Sequence, residues 1–238
     1  METGPGKPIG QLMLWDDPVP RDGPGQMACD EVLVGLAEFP ILRVFRWQSP
    51  WVSAGFFTEM KEAARARPDL PVCRRWTGGG IVVHEGDFTF SLIVPRGERL
   101  AAERPGESYR LIHAALAEAL GAQGYAAGLS NIGAAHSPEC FVGAVEHDVV
   151  ADGRKIAGGA QRRTRRALLH QGSVQGAAKL SRAFGPVFAG TLAASVGSWQ
   201  PPSGLEERIG AMTREKYANP VFLRGRRRSM VFTGAATS

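Results

Sequence analysis

Long apolar runs are missing from this 238-residue chain. No stretch approaches the roughly 18 consecutive apolar residues of a membrane span, so none is expected. Met1 to Gly10 hold no apolar core of the kind a secretory signal needs. Cysteine is scarce. Cys29, Cys73 and Cys140 are odd in number and far apart, which excludes a disulfide framework and points to a reducing, cytoplasmic setting. Lysine occurs only at positions 7, 61, 155, 179 and 216, so the other 23 of the 28 basic residues are arginine, and the net charge is +5. The densest basic run, Arg224 to Arg228, has no interleaved aromatics for base stacking and reads as a solvated tail, not a nucleic-acid site. No His, Cys, Asp or Glu grouping has metal-ligand spacing, so no metal site is expected.

A hydrophobic fraction of 44% over this length is enough for one sizeable core. Strand and helix signals mix without repeats or low-complexity linkers. Strands are expected at Ile9–Trp15, Ile41–Trp47, Trp51–Gly55, Val72–Arg75, Ile81–Val83 and Phe88–Val94, the last half-buried by its alternation. Three more, Val145–Val150, Lys155–Gln161 and Ala167–Gln171, follow, with Asp152-Gly153 as a hairpin signal. Helices are expected from about Gln26 to Glu38, over Lys61–Arg67, over Ser108–Leu120 with Gly121 as its cap, and over Leu205–Tyr217. The fold class is therefore α+β: mixed, largely antiparallel sheets flanked by helices. One domain over 1–238 is expected, its core at about 26–200, with a short helical tail over 204–238 beyond Pro201-Pro202-Ser203-Gly204.

Two segments carry the chemistry. Arg74-Arg75-Trp76-Thr77-Gly78-Gly79-Gly80 precedes a strand ending in His84. Three glycines between strands cost conformational entropy, up to ~1 kcal/mol each against alanine, and let a ligand approach the backbone or permit positive φ. Donors such as Arg75, Thr77 and His84 around open amides suit an oxyanion or carboxylate. No Gly-Lys-Ser/Thr follows, so this is not a Walker loop, and a strand follows, so it is not a dinucleotide fingerprint. The second segment is Lys155-Ile156-Ala157-Gly158-Gly159-Ala160-Gln161. A lysine with small residues beside it can stabilise charge developing on an acyl oxygen. His113, on an apolar helix, reads as a core or rim histidine; Asp148 reads as a structural hydrogen bonder; Cys29 and Cys73 read as buried.

Gln26-Met27-Ala28-Cys29-Asp30-Glu31, Gly55-Phe56-Phe57-Thr58, the Arg74–Gly80 segment with His84, and Lys155–Gln161 with Leu168–Ser173 resemble, in that order, motifs of lipoate–protein ligases and cysteine-dependent octanoyl and lipoyl transferases. These belong to the biotin/lipoate ligase superfamily. The biotin side fits less well, because its Gly-Arg-Gly-Arg-x-Gly-type loop is missing. The resemblance implies Lys155 as the essential lysine and Arg75, Thr77, Gly78, Gly79, Gly80, His84, Gly158 and Ala160 as substrate-binding. Cys140-Phe141, fifteen residues before Lys155, is similar to the Cys-Phe of the octanoyltransferase branch, which implies a cysteine nucleophile, with His136 or His147 as possible bases. The implied reaction moves an octanoyl or lipoyl group from an acyl carrier protein to a lysine of a lipoyl-carrier domain, with no cofactor. Acidic partners of this kind match an arginine-rich surface at Arg162, Arg163, Arg165 and Arg166. The alternative is a ligase using ATP and Mg through a lipoyl-adenylate, which the third glycine favours. A third reading is an inactive lipoyl-binding or scaffold protein.

Overall fold

A computed structural model describes residues 6–131, 145–176, 180–181 and 183–224. The chain opens with β1 (Ile9–Asp16), α1 (Gly23–Leu36), β2 (Ile41–Phe45), β3 (Trp51–Ala54), α2 (Met60–Ala66) and β4 (Val72–Arg74). It continues with β5 (Ile81–His84), β6 (Phe88–Pro95), α3 (Arg99–Ala102), α4 (Pro105–Gly121), β7 (Ala127–Leu129) and β8 (Val149–Ala151). Then come β9 (Arg154–Arg163), β10 (Ala167–Val174), α5 (Phe184–Leu192), β11 (Ala193–Ser198) and α6 (Leu205–Met212), a π-helical turn (Thr213–Tyr217) and α7 (Pro220–Arg224).

Eight strands form one sheet in the order β11-β1-β2-β6-β10-β9-β8-β7, and β4-β3-β5 form a second. The pairings β1–β11, β1–β2 and β3–β4 are parallel; the others are antiparallel. One face of the large sheet packs Leu12, Leu42, Phe90 and Leu92 against α4 and α5. The other packs Trp15, Ile41, Ile93 and Leu169 against α1 and α6. A sheet covered on both faces explains why β6 is buried at both parities, not half-buried as its alternation predicts. The C-terminal helices are part of this packing, since Leu205, Ile209 and Tyr217 join the α1 cluster.

The α1 helix starts three residues before Gln26. Asp22 caps it by accepting a hydrogen bond from the Gly25 amide (2.8 Å), and Pro24 occupies the first turn, where no amide donor is needed. In α4, Gly121 is the last helical residue, and the left-handed position falls to Gly124 (φ 86°). The Asp152-Gly153 turn joins β8 to β9 with both residues at positive φ (50° and 72°), as a tight hairpin of matching twist requires.

Candidate functional site

The strand register lays out the floor of a cavity between the two sheets. On the α1 face of the large sheet, Phe45, Thr89, Ser173 and Gly158 form one cross-strand row, and Arg43, Ser91, Gln171 and Ala160 form the next. Side-chain bulk falls steadily along the first row toward β9, and both rows end there in a small residue, Gly158 and Ala160, which leaves space. The resulting cleft is completed by Met27 from α1, by Trp47, by Val82 and His84 from β5, and by Gly79. Most of this lining is apolar.

Lys155 enters that cleft because β9 carries a bulge. Val149 pairs with Ala157 and Val150 with Lys155, so two β9 steps oppose one β8 step. The extra residue turns Lys155 onto the face of Gly158 and Ala160, where strict alternation would have sent it to the opposite face. Its aliphatic end folds over Gly158: a Cβ there would lie 2.7 Å from Cε and 2.9 Å from Nζ. The ammonium pairs with Asp148 Oδ2 at 2.7 Å, with both side chains buried. The same carboxylate accepts from the Val145 amide (2.8 Å) and the Tyr109 hydroxyl (2.6 Å).

The glycine loop is shaped from behind. Arg75 Nη1 donates to Ser53 O and Oγ (2.8 and 2.7 Å), and Nη2 donates to the Gly78 and Gly80 carbonyls (3.1 and 3.0 Å). Arg75 is thus committed in part to holding inward-turned carbonyls of the loop, while still lining the cavity. Gly79 adopts φ 83°, and Gly55 passes so close that a Cβ there would collide with the Gly79 carbonyl. Thr77 is buried and donates to Gln171 Oε1 (2.6 Å). Gly78 and Gly80 shape the turn around Gly79, which faces the cleft.

His84 stacks on Trp47 with ring centres 4.1 Å apart. Its Nδ1 lies 2.7 Å from Asp87 Oδ2 and its Nε2 lies 2.7 Å from Ser53 Oγ. Asp87 accepts from Nδ1–H, and Ser53 Oγ, which accepts from Arg75, is hydrogen-bonded to Nε2. The set copies a hydrolytic triad in outline, but Ser53 is fully buried and its oxygen faces Arg75, so it orients His84 and attacks nothing. Burial works against the Asp87 charge, but His84 and hydrogen bonds from His84, Ser173 and Thr89 outweigh it and hold the carboxyl below the usual carboxylate range.

Sequence reasoning missed the network beneath the cleft. Buried Arg43 pairs with Asp17 (2.8 Å) and Asp30 (2.7 Å) and donates to Gln26. Asp30 in turn accepts from Ser91 and from Gln171, each at 2.6 Å. The available signal was polar residues at alternate positions of strands otherwise rich in large apolar side chains: Thr89 and Ser91, Gln171 and Ser173.

Of the four arginines read as one surface, Arg165 and Arg166 are exposed. Arg162 turns inward between Phe56 and Trp76, 5.1 and 4.4 Å from their ring centres, and Arg163 donates to the Ala101 carbonyl and to Ser108. Cys29 and Cys73 are buried, and burial pushes both thiols up to about 12. Cys140, His136 and Arg226 to Arg228 lie outside the described residues. Among the described residues no His, Cys, Asp and Glu group of three could hold a metal ion, and no helix is long and apolar enough to cross a membrane.

An octanoyltransferase (LipM) of Macrococcus caseolyticus is 30% identical over 165 residues, covering 62% of this chain and 60% of the relative. The LipM octanoyltransferase of Geobacillus kaustophilus is 31% identical over 165 residues, 62% of this chain and 59% of its own. The match thus spans about 60% of these relatives' length. Among solved structures, the fold is similar to a putative lipoate protein ligase, Ta0514, from T. acidophilum, with a TM-score of 0.73 at 20% identity over 91% of this chain and 99% of that one. A lipoate-protein ligase A bound with ATP gives the same TM-score at 19% identity, again over 91% and 99%. The sequence profile of the lipoyl protein ligase A/B catalytic domain matches residues 23–213, and the chain belongs to that family.

Proposed function

We propose that the protein transfers an octanoyl or lipoyl group to a lysine of a lipoyl-carrier domain through a thioester on Cys140. The observation that carries the reading is an ammonium, Lys155, set at the wall of an otherwise largely apolar cleft beside an open glycine backbone. The cleft takes an alkyl chain, and Lys155 with the Gly79 region takes the carbonyl end. The Cys140 thiolate adds to the carbonyl of a carrier thioester, and the carrier thiolate leaves. The target amine then adds to the enzyme thioester, loses a proton and forms the amide as the Cys140 thiolate departs. Lys155 stabilises the oxyanion of both additions. Donor and acceptor are protein-borne, an acyl carrier protein and a lipoyl domain. Exposed Arg165 and Arg166 offer acidic partners an attractive surface.

The second reading, an ATP-dependent ligase, is favoured by Gly80, which preserves the third glycine. Its Mg-bound triphosphate needs several cations. The cleft's described lining offers Lys155 and Arg75, each engaged within the protein, which suits an acyl chain better than a phosphate chain.

Intact-mass measurement decides between them. Mixed with octanoyl–acyl carrier protein and no ATP, the protein is expected to gain one octanoyl group, and Cys140→Ala is expected to gain none. No adduct on the native protein, with product on a lipoyl domain only when lipoate and ATP are supplied, would overturn the thioester route. A second expectation concerns Gly158→Ala. The added methyl takes the space of Lys155 Cε and Nζ, so turnover should fall at least tenfold while thermal unfolding moves by only a few degrees. Turnover and a melting curve on the same preparation check it.

A further inference from the structure

We infer that Tyr109, with His113 one helical turn later, is a positioning residue for Lys155 that acts through Asp148. The inference rests on the proposed role of Lys155 for its consequence in turnover, but its geometry stands apart from that role.

Tyr109 and His113 are i,i+4 neighbours on one face of α4, with ring centres 4.0 Å apart. They hold two successive residues of the segment entering β8. His113 Nδ1–H donates to the His147 carbonyl (2.8 Å), and the Tyr109 hydroxyl donates to Asp148 Oδ1 (2.6 Å). His147 sits at φ 69°, a conformation a non-glycine residue keeps only when its surroundings impose it. The two α4 contacts supply that constraint together with Ser130, whose carbonyl accepts from the His147 amide (2.8 Å) and whose amide donates to the Asp148 carbonyl (2.8 Å).

The Tyr109 hydroxyl has a second task. β8 ends its pairing with β9 at Ala157, so the next amide on that edge, Gly159 N–H, has no strand to donate to. It donates to the Tyr109 oxygen instead (3.1 Å). With its proton on Asp148 and a lone pair on Gly159, the hydroxyl ties the carboxylate to β9, the strand that carries Lys155. The separation between Asp148 Oδ2 and Lys155 Nζ is therefore set by α4 as well as by the hairpin. Removing the hydroxyl leaves the carboxylate with one charge-assisted donor fewer and the β9 edge unpaired, and the ammonium loses its fixed place at the cleft wall.

The test is Tyr109→Phe, assayed with octanoyl–acyl carrier protein and an apo lipoyl domain. We expect kcat to fall about tenfold, the scale of one lost hydrogen bond to a charged group, with KM for the donor changed less than twofold. Asp148→Asn should lower kcat further. The double variant should be no slower than Asp148→Asn alone, because both act on one path. A second readout needs no activity. Acetylation of Lys155 by acetic anhydride, followed by peptide mass spectrometry, should be several-fold faster in Tyr109→Phe than in the native protein, where Lys155 is buried and paired. An unchanged kcat and labelling rate, or additive losses in the double variant, would overturn the inference. If Lys155→Ala keeps full turnover, the proposed function fails, while the labelling result still decides whether Tyr109 holds the lysine.

Discussion

Arg43→Leu is expected to lower unfolding stability by about 3–5 kcal/mol, the usual consequence of removing one partner of a buried charge network. Arg43 is wholly buried, and its guanidinium meets Asp17 and Asp30 while lying 4.1 Å from the Phe45 ring centre. In the variant, Asp17 keeps Arg21 (2.6 Å), but Asp30 keeps only the neutral donors Ser91 and Gln171 named above. A carboxylate without a cation in that interior is the main cost, and typical domains have only about 5–15 kcal/mol in all. Urea unfolding followed by tryptophan fluorescence measures the loss. Arg43→Lys should fall between the two, since an ammonium keeps the charge but cannot reach Asp17, Asp30 and Gln26 together as the planar fork does. A loss under about 1 kcal/mol for Arg43→Leu would mean that the network does not hold α1 to the sheet. Damage should also reach the cleft, because Asp30 holds Gln171 and Gln171 holds Thr77.

That network marks where the sequence stops being legible. Local signals survived well. The Asp152-Gly153 turn, the strands on either side of the glycine triplet and the small residues beside Lys155 all depend on neighbours in the chain, and the structure has them where spacing puts them. The segment Phe184 to Ser198 was silent, because Gly185, Pro186 and Gly190 blur a helical pattern and β11 gains its identity from pairing with β1. Links such as Asp30 to Gln171, 141 residues apart, have no local trace at all. Nor does the bulge that aims Lys155, since it exists only relative to β8. Arg75 shows a subtler limit. A guanidinium before three glycines reads as a ligand donor, yet a loop without side chains leaves carbonyls turned inward, and the nearest buried cation answers them.

Acid should destabilise this fold well before its carboxylates protonate. His113 and His170 are buried, with ring centres 5.2 Å apart, and neither Nε2 has a hydrogen-bond partner among the described residues. Burial is the main cause that pushes His113 down to about 4, with Asp148 and the His147 carbonyl resisting and Lys155 adding to the fall. Burial, and then His113, drive His170 well below its ordinary value. Both rings are therefore neutral in the folded protein, whereas an unfolded histidine takes up a proton near pH ~6.5. Between about pH 6.5 and 4 the unfolded chain binds more protons than the folded one, so unfolding becomes easier as pH falls. From His113 alone the loss is on the order of 3 kcal/mol by pH 4, and His170 extends it lower. Asp87, held below the usual carboxylate range, contributes a further loss only at more acid pH. Urea midpoints measured from pH 7.5 to 4.5 should fall steadily through this window. His113→Gln keeps a donor for the His147 carbonyl and removes one titration, so its midpoints should fall less steeply over the same range. A native profile flat between pH 6.5 and 4.5 would mean that both rings take up their protons in the fold as readily as in the unfolded chain, which would also place a charge behind Tyr109 and Asp148 and weaken the hold on Lys155.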